Sequence, residues 1–171
     1  RMYVSNNRLC HVSSENENYV SIDTVLFNKK VDELIQYPLG NNRESYEIPT
    51  SITKIHSHAF DSCQYLKHIT IPDSITRIEE STFISSFSLK TIQFGKGITE
   101  IKEYAFYNTN IQNIIITNTI TLIESHAFED NNKICYNIRQ LGEIYVSIPK
   151  MKAQALEYGH SEKRELAFLC I

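Results

Sequence analysis

Between Tyr46 and Phe128 the apolar residues follow one rhythm, written four times. Ile48-Pro49, Ile52-Thr53, Ile55 and Ala59-Phe60 form the first copy. Ile71-Pro72, Ile75-Thr76, Ile78 and Thr82-Phe83 form the second. The third is Phe94-Gly95, Ile98-Thr99, Ile101 and Ala105-Phe106, and the fourth is Ile116-Thr117, Ile120-Thr121, Ile123 and Ala127-Phe128. Successive phenylalanines, Phe60, Phe83, Phe106 and Phe128, are 23, 23 and 22 residues apart. A pattern that returns every ~20–50 residues marks a solenoid. The apolar set of one copy cannot be buried alone, but stacked copies turn each position into a continuous column of core. The phenylalanines form one such column. The residues before them, Ala59, Thr82, Ala105 and Ala127, form a small one that leaves each ring room at interior packing density.

Ahead of each copy stands an anchor, Leu66, Leu89 or Ile111, which opens a short alternating run: Leu66-x-x-Ile69-x-Ile71 and its equivalents. Alternation of β-branched residues predicts a strand with one face inward. Pro49, Pro72 and Gly95 end that strand, since proline cannot donate to a ladder. A second extended piece, Ile52-Thr53-x-Ile55, follows in each copy. Residues 24–37 are expected to form a protruding β-hairpin with Asn28-Lys29-Lys30 near its tip. Leu9-x-x-Val12 has the anchor spacing of a degenerate first coil. After Phe128, either Ile134 or Leu141 can anchor the next strand; Leu141-x-x-Ile144-x-Val146 is preferred because it alternates cleanly and ends at Pro149. Residues 150–158 predict a short helix stopped by Gly159. The expected architecture is therefore mainly β: a solenoid with repeats of about 23 residues, short stacked strands, one hairpin insert and a short C-terminal helix. One domain spans 1–171, comprising a degenerate N-terminal coil with the hairpin (1–45), the regular repeats (46–128) and an irregular last coil with a C-terminal cap (129–171).

The run L-x-x-I-x-I-P-x-x-I-T-x-I-x-x-x-A-F-x-x-C, with Cys63 in its last place, resembles the BspA-type (Treponema pallidum-type) leucine-rich repeat. Ser86, Thr109 and Asn131 stand where the other copies would carry that cysteine. Asn18–Lys29 followed by Leu34–Pro38 is similar to the hairpin insert of such arrays, with Thr24 where glycine is usual. The resemblance covers about residues 9–130. It implies a leucine-rich-repeat solenoid, a role in adhesion or protein recognition, a protein ligand such as a host or extracellular-matrix protein, and a cell-surface or secreted location. A cytoplasmic location is the alternative.

Composition adds bounds. Lys+Arg number 17 and Asp+Glu 20, for a net charge of −3 without a basic stripe, so nucleic acid and anionic membrane are not expected partners. No apolar stretch nears the ~18 residues of a membrane helix. The chain opens on Arg1 within what reads as a broken repeat, as a fragment or processed form would, so a missing signal peptide carries no information. Cys10, Cys63, Cys135 and Cys170 lie far apart without a C-x-x-C, which excludes a dense disulfide framework and allows one bridge without indicating it. His56-x-His58 with Cys63 and His68 offers metal-binding residue types. However, His58 and His126 share a column with Ser81 and Tyr104, which reads as a surface position, and lie three coils apart, roughly 14 Å at a strand spacing of ~4.8 Å, whereas zinc ligands sit at ~2 Å. Thr53, Thr76, Thr99 and Thr121 are explained by strand preference and bonding along the column rather than by a ligand. No G-x-S-x-G, phosphate-cradling loop, H-E-x-x-H or G-x-G-x-x-G occurs. The sequence thus calls for no enzyme, no cofactor and no metal.

Two functions of different class follow: a non-catalytic binding module, and a structural spacer attached to another functional domain. On each predicted Leu-x-x-Ile-x-Ile strand the residue between the isoleucines faces outward. That gives Glu47, Thr70, Gln93, Ile115 and Tyr145, beside a column with His68 and Asn113. These positions run from acidic through neutral to apolar, whereas the core columns barely change, so this face is the expected binding site.

Overall fold

The structure, a computed structural model, describes residues 2–5, 9–111, 113–117, 119–129, 131, 135–138, 145–146 and 167–170. In chain order the strands are β1 (Met2–Ser5), β2 (Leu9–Val12), β3 (Tyr19–Ile22), β4 (Val25–Asn28), β5 (Glu33–Gln36), β6 (Ser45–Glu47), β7 (Lys54–Ile55), β8 (His68–Thr70), β9 (Arg77–Ile78), β10 (Thr91–Gln93), β11 (Glu100–Ile101), β12 (Asn113–Ile116), β13 (Leu122–Ile123), β14 (Cys135–Ile138), β15 (Tyr145–Val146) and β16 (Ala167–Cys170). No helix occurs among the described residues; the helix expected over 150–158 lies outside them. The even strands β6 to β14 form the front of a solenoid and the short odd strands β7 to β15 form its back. Front strands pair in parallel as β6-β8-β10 and β12-β14, and back strands as β9-β11-β13-β15.

The columns read from the sequence are the core. Ile52, Ile75, Ile98 and Ile120, then Ile55, Ile78, Ile101 and Ile123, are buried, as are the anchors Leu66, Leu89 and Ile111. The four phenylalanines stack face to face. Ring centroids are 4.9 Å apart for Phe60–Phe83, 5.1 Å for Phe83–Phe106 and 5.0 Å for Phe106–Phe128, with interplanar angles of 19°, 9° and 10°. The coil rise of ~4.8 Å sets that spacing, which falls in the favourable range of ~4.5–7 Å for offset aromatic pairs. Tyr37 extends the stack by one ring, 5.1 Å from Phe60. Its position, 23 residues before Phe60, is the signal that marks it as the missing first member.

The corner that carries these rings is built from left-handed backbone. His58, Ser81, Tyr104 and His126 have φ of 59°, 55°, 55° and 59°, and Ser62, Ser85 and Asn108 have 55°, 55° and 54°. Each such residue costs ~1–2 kcal/mol when it is not glycine. The return is a ladder along the axis. Phe60 N donates to the Thr82 carbonyl (2.9 Å), Phe83 N to Ala105 (2.8 Å) and Phe106 N to Ala127 (2.7 Å). Ser62, Ser85 and Asn108 do the same to Ile84, Tyr107 and Glu129, each at 2.9 Å. What His58, Ser81, Tyr104 and His126 share is therefore a backbone conformation rather than exposure: His58 is exposed, Ser81 buried. The Cys63, Ser86, Thr109 and Asn131 column completes the corner. Ser86 Oγ donates to the Phe60 carbonyl (2.6 Å) and accepts from Cys63 N (3.1 Å), and Asn131 Nδ2 donates to the Phe106 carbonyl (2.7 Å).

Three expectations change. The hairpin at 24–37 does not protrude. β4 and β5 pair antiparallel as expected, but β5 also pairs in parallel with β7, Leu34 against Ile55, and Val25, Leu26, Phe27 and Leu34 are buried. An apolar run on both faces has to be covered, so the hairpin becomes the first layer of the back. The turn that joins β3 to β4, Asp23-Thr24, has φ of 50° and 71°, the two-residue geometry that matches strand twist; Thr24 takes it without glycine, and its Oγ1 accepts from Asn41 Nδ2 at 3.2 Å. Second, Leu9–Val12 is not the anchor of a coil but pairs antiparallel with Met2–Ser5. Third, the front strand after Phe128 is β14, not Leu141–Val146: Ile114 pairs with Tyr136 and Ile116 with Ile138, while Tyr145–Val146 pairs with Leu122–Ile123 on the back. Coil perimeter decides this. A seven-residue insertion ahead of the strand would push it out of both ladders, and 135–138 keeps the spacing although it alternates less cleanly.

Gly95-Lys96-Gly97 takes the place that Pro49 and Pro72 hold in earlier coils. A Cβ at Gly97 would lie 2.0 Å from the Asp73 carbonyl oxygen, and one at Gly95 2.4 Å from the Pro72 carbonyl. Only glycine allows that approach, in which Lys96 N donates to Asp73 Oδ1 at 2.7 Å.

The outward side of the back is tied together by charge. Arg77 meets Glu79 (3.2 Å) and Glu100 (4.0 Å), and Lys102 meets Glu100 (3.0 Å) and Glu124 (2.8 Å). The hydrogen bond from Lys102, helped by the Glu103 amide, holds the Glu124 carboxyl below its ordinary value of 4.5. Hydrogen bonds to Glu124 and Glu100 raise Lys102 above 10.5. Beside these pairs, Thr53, Thr99 and Thr121 hydroxyls donate to carbonyls of the preceding coil, Asp32, Thr76 and Thr99, at 3.2, 3.1 and 3.3 Å.

Two measurements check this account. Phe83→Ala, in the middle of the ring stack, should cost ~3–5 kcal/mol in denaturant unfolding, whereas Tyr37→Phe should raise stability by ~1 kcal/mol, because the buried Tyr37 hydroxyl has no hydrogen-bond partner among the described residues. An unchanged midpoint for Phe83→Ala would refute the core assignment. For the ion pairs, stability from Glu124 is complete above pH 4.5 and lost as pH falls through its lower folded value. Stability from Lys102 is complete below pH 10.5 and lost as pH rises through its higher one. Glu124→Gln should therefore melt below the parent at neutral pH, with the gap closing in strong acid; a gap independent of pH would count against the pairing.

Candidate functional site

The front strands present two outward columns. Ser45, His68 and Thr91 share one register, and Glu47, Thr70 and Gln93 the next. Glu47, His68, Thr91 and Gln93 are exposed and Thr70 is half-buried, while the intervening Ile69 and Ile92 point into the core. Ile115 continues the face on β12 and is 48% exposed. Asn113 lies on the same strand, paired with Cys135. Tyr145 does not join them. Asn137 is the register partner of Ile115, and Tyr145 pairs with Leu122 on the back, a consequence of the misplaced last strand.

The face is mostly uncharged. His68 Nδ1 lies 2.7 Å from Thr91 Oγ1, and Lys67 pairs with Glu44 at its edge. Lys67 draws the Glu44 carboxyl below its ordinary value through a hydrogen bond. The contrast with the back is chemical: Arg77, Glu79, Glu100, Lys102 and Glu124 there are already satisfied by one another, and covering them would strip water from paired charges. Covering Thr70, Thr91, Gln93 and Ile115 strips little.

Two residues that the repeat pattern does not single out border this face. Phe87 is 57% exposed and Tyr65 43%, both on the loops that lead into β8 and β10. Their signal is local: each is an aromatic between the Cys63 or Ser86 position and the leucine anchor, where Gln64, Ser88 and Asn110 are polar.

The residues with metal-binding chemistry are dispersed. His56 Nε2 lies 2.8 Å from Glu33, His58 Nδ1 3.4 Å from Asp61, and His68 faces Thr91. Cys63 is buried, and burial pushes its thiol up to about 12, far from the thiolate a metal takes. Among the described residues no group of three or more His, Cys, Asp or Glu could hold a metal ion. Nor, among them, is any helix long and apolar enough to cross a membrane.

Comparison with known proteins places this geometry. The solved pneumococcal vaccine antigen PcpA superposes with a TM-score of 0.72 at 26% identity, over 81% of this chain and 36% of the antigen. A leucine rich cell surface protein of Faecalibacterium prausnitzii gives a TM-score of 0.51 at 27% identity, over 82% of this chain and 42% of that one. A different likeness is short: 29 residues are 69% identical to the endoribonuclease YbeY of Agathobacter rectalis, which is 17% of this chain and spans 18% of the enzyme. The model of the BspA type leucine rich repeat region matches six copies over residues 39–145. The chain belongs to the BspA-type leucine-rich repeat family.

Proposed function

We propose that this chain is a non-catalytic protein-binding or adhesion module of a surface or secreted protein, and that it binds through the front face at Glu47, His68, Thr70, Gln93, Asn113 and Ile115. The observation that carries this reading is the difference between the faces. The back is laced with ion pairs from Arg77 to Glu124, whereas the front offers mostly neutral polar groups around an exposed isoleucine. Repeat solenoids bind through such extended surfaces, with variable residues on a constant frame. The likeness to a vaccine antigen and to a cell surface protein supports the location. Tyr65 and Phe87 extend the face with the aromatic surface that protein interfaces favour.

A second reading, a spacer joined to another functional unit, is favoured by the stretch shared with the endoribonuclease. Twenty-nine residues fall short of the ~40 needed to bury an independent core. Under this reading the array supplies length, and the 171-residue chain leaves a labelled RNA uncut.

The readings separate by experiment. With a partner captured from the cell surface, Ile115→Glu should weaken binding by more than ~1 kcal/mol and leave the melting temperature nearly unchanged, while Lys102→Ala on the back should leave affinity unaltered. Full affinity for Ile115→Glu would remove the front face as the site. In a separate assay, RNA cleavage by this chain that persists through purification would overturn the non-catalytic reading.

A further inference from the structure

We propose that Cys135 and Cys170 form a disulfide that fastens the last described strand, β16, to the end of the front sheet. The argument is one of register. β14 pairs antiparallel with β16, and in that ladder Cys135 is the partner of Cys170, with Tyr136 opposite Leu169, Asn137 opposite Phe168 and Ile138 opposite Ala167. Directly opposed residues of an antiparallel pair have Cα atoms ~4.5–5.5 Å apart. Disulfides bridge Cα separations of ~4.4–6.8 Å, a range that includes the separation this register sets. The other two cysteines do not compete. Cys10 and Cys63 are buried free thiols on β2 and at the aromatic corner, and burial raises both.

The chemistry is thiol–disulfide exchange with a low-molecular-weight disulfide such as oxidised glutathione. The thiolate of one cysteine attacks a glutathione sulfur, forms a mixed disulfide and expels one glutathione thiolate. The thiolate of the second attacks the protein sulfur of that mixed disulfide and expels the other. Two protein thiols are oxidised to one S–S bond, one glutathione disulfide is reduced to two thiols, and the two protons leave with them. The bond closes a loop that includes everything between β14 and β16, and it depends neither on the front face nor on its partner. A solenoid end exposes an unpaired strand edge; β16 covers the edge of β14, and the bond makes that cover permanent under oxidising conditions.

The test uses the whole 171-residue protein. After incubation with oxidised glutathione and alkylation of remaining thiols, digestion at Lys150, Lys152, Lys163 and Arg164 is followed by mass spectrometry without reductant. The expected product is a cross-linked pair of peptides carrying Cys135 and Cys170, lighter by two hydrogen atoms than the separate peptides and absent after reduction. In Cys135→Ser and in Cys170→Ser the surviving cysteine should hold glutathione as a lasting adduct, because the resolving thiol is gone. Wild-type protein in which Cys135 and Cys170 both end as glutathione adducts or as alkylated thiols, or in which either is bonded to Cys10, Cys63 or a second chain, overturns the proposal.

Discussion

The backbone hydrogen bond along the axis is the constraint from which the rest of this molecule follows. Each coil must lie one strand spacing, ~4.8 Å, from the next for its amides to find carbonyls. Once that rise is fixed, a residue in one coil has little to touch except its equivalents above and below. Like then stacks on like, and the ring-on-ring column from Tyr37 to Phe128 is what aromatic residues do at that separation. The left-handed residues at the corner are the conformational cost of keeping the ladder unbroken where the chain must turn. Their side chains can be histidine, serine or tyrosine because the conformation, not the side chain, is what the corner needs.

The same constraint explains how polar groups are accommodated. The corner position is a buried cysteine, serine or threonine or the half-buried Asn131, and its common task is to serve main-chain groups that the ladder leaves over. Ser86 supplies both a donor and an acceptor, and Asn131 reaches back to the carbonyl of Phe106. Threonines on the back cap carbonyls of the neighbouring coil in the same manner. Buried and rim polar residues thus complete the frame, and functional variation is left to the outward columns of the front.

This division decides what could be read from the chain. The core was legible because it repeats: the isoleucine and phenylalanine columns appear as fixed spacings, and the structure buries them. Tyr37 is equally legible at its distance from Phe60, but the change from Phe to Tyr and the proline after it make it read as the end of the hairpin. In the last coil, clean alternation at Ile144, Val146 and Ile148 points away from the strand that forms, because closure of a stacked coil is a stronger condition than local strand propensity. Tyr145 lies on the back for the same reason. The front residues up to Gln93 were placed by the period of two within a strand, which needs no repeat once the inward isoleucines are known. Tyr65 and Phe87 fall between columns, where periodicity says nothing about which residues will be left in water.

The corner ladder also has a direction. Tyr37, Phe60, Ser62, Phe83, Ser85, Phe106 and Asn108 all send their N–H groups towards the following coil, and none of these bonds runs the other way. Aligned amides add their dipoles, as they do in a helix, although here the N–H ends face the C-terminal side. The solenoid is therefore electrically polar along one edge even where its side chains are neutral. Reversing the axis would exchange donors for acceptors at this edge, so the coils can stack on one another here in one orientation only.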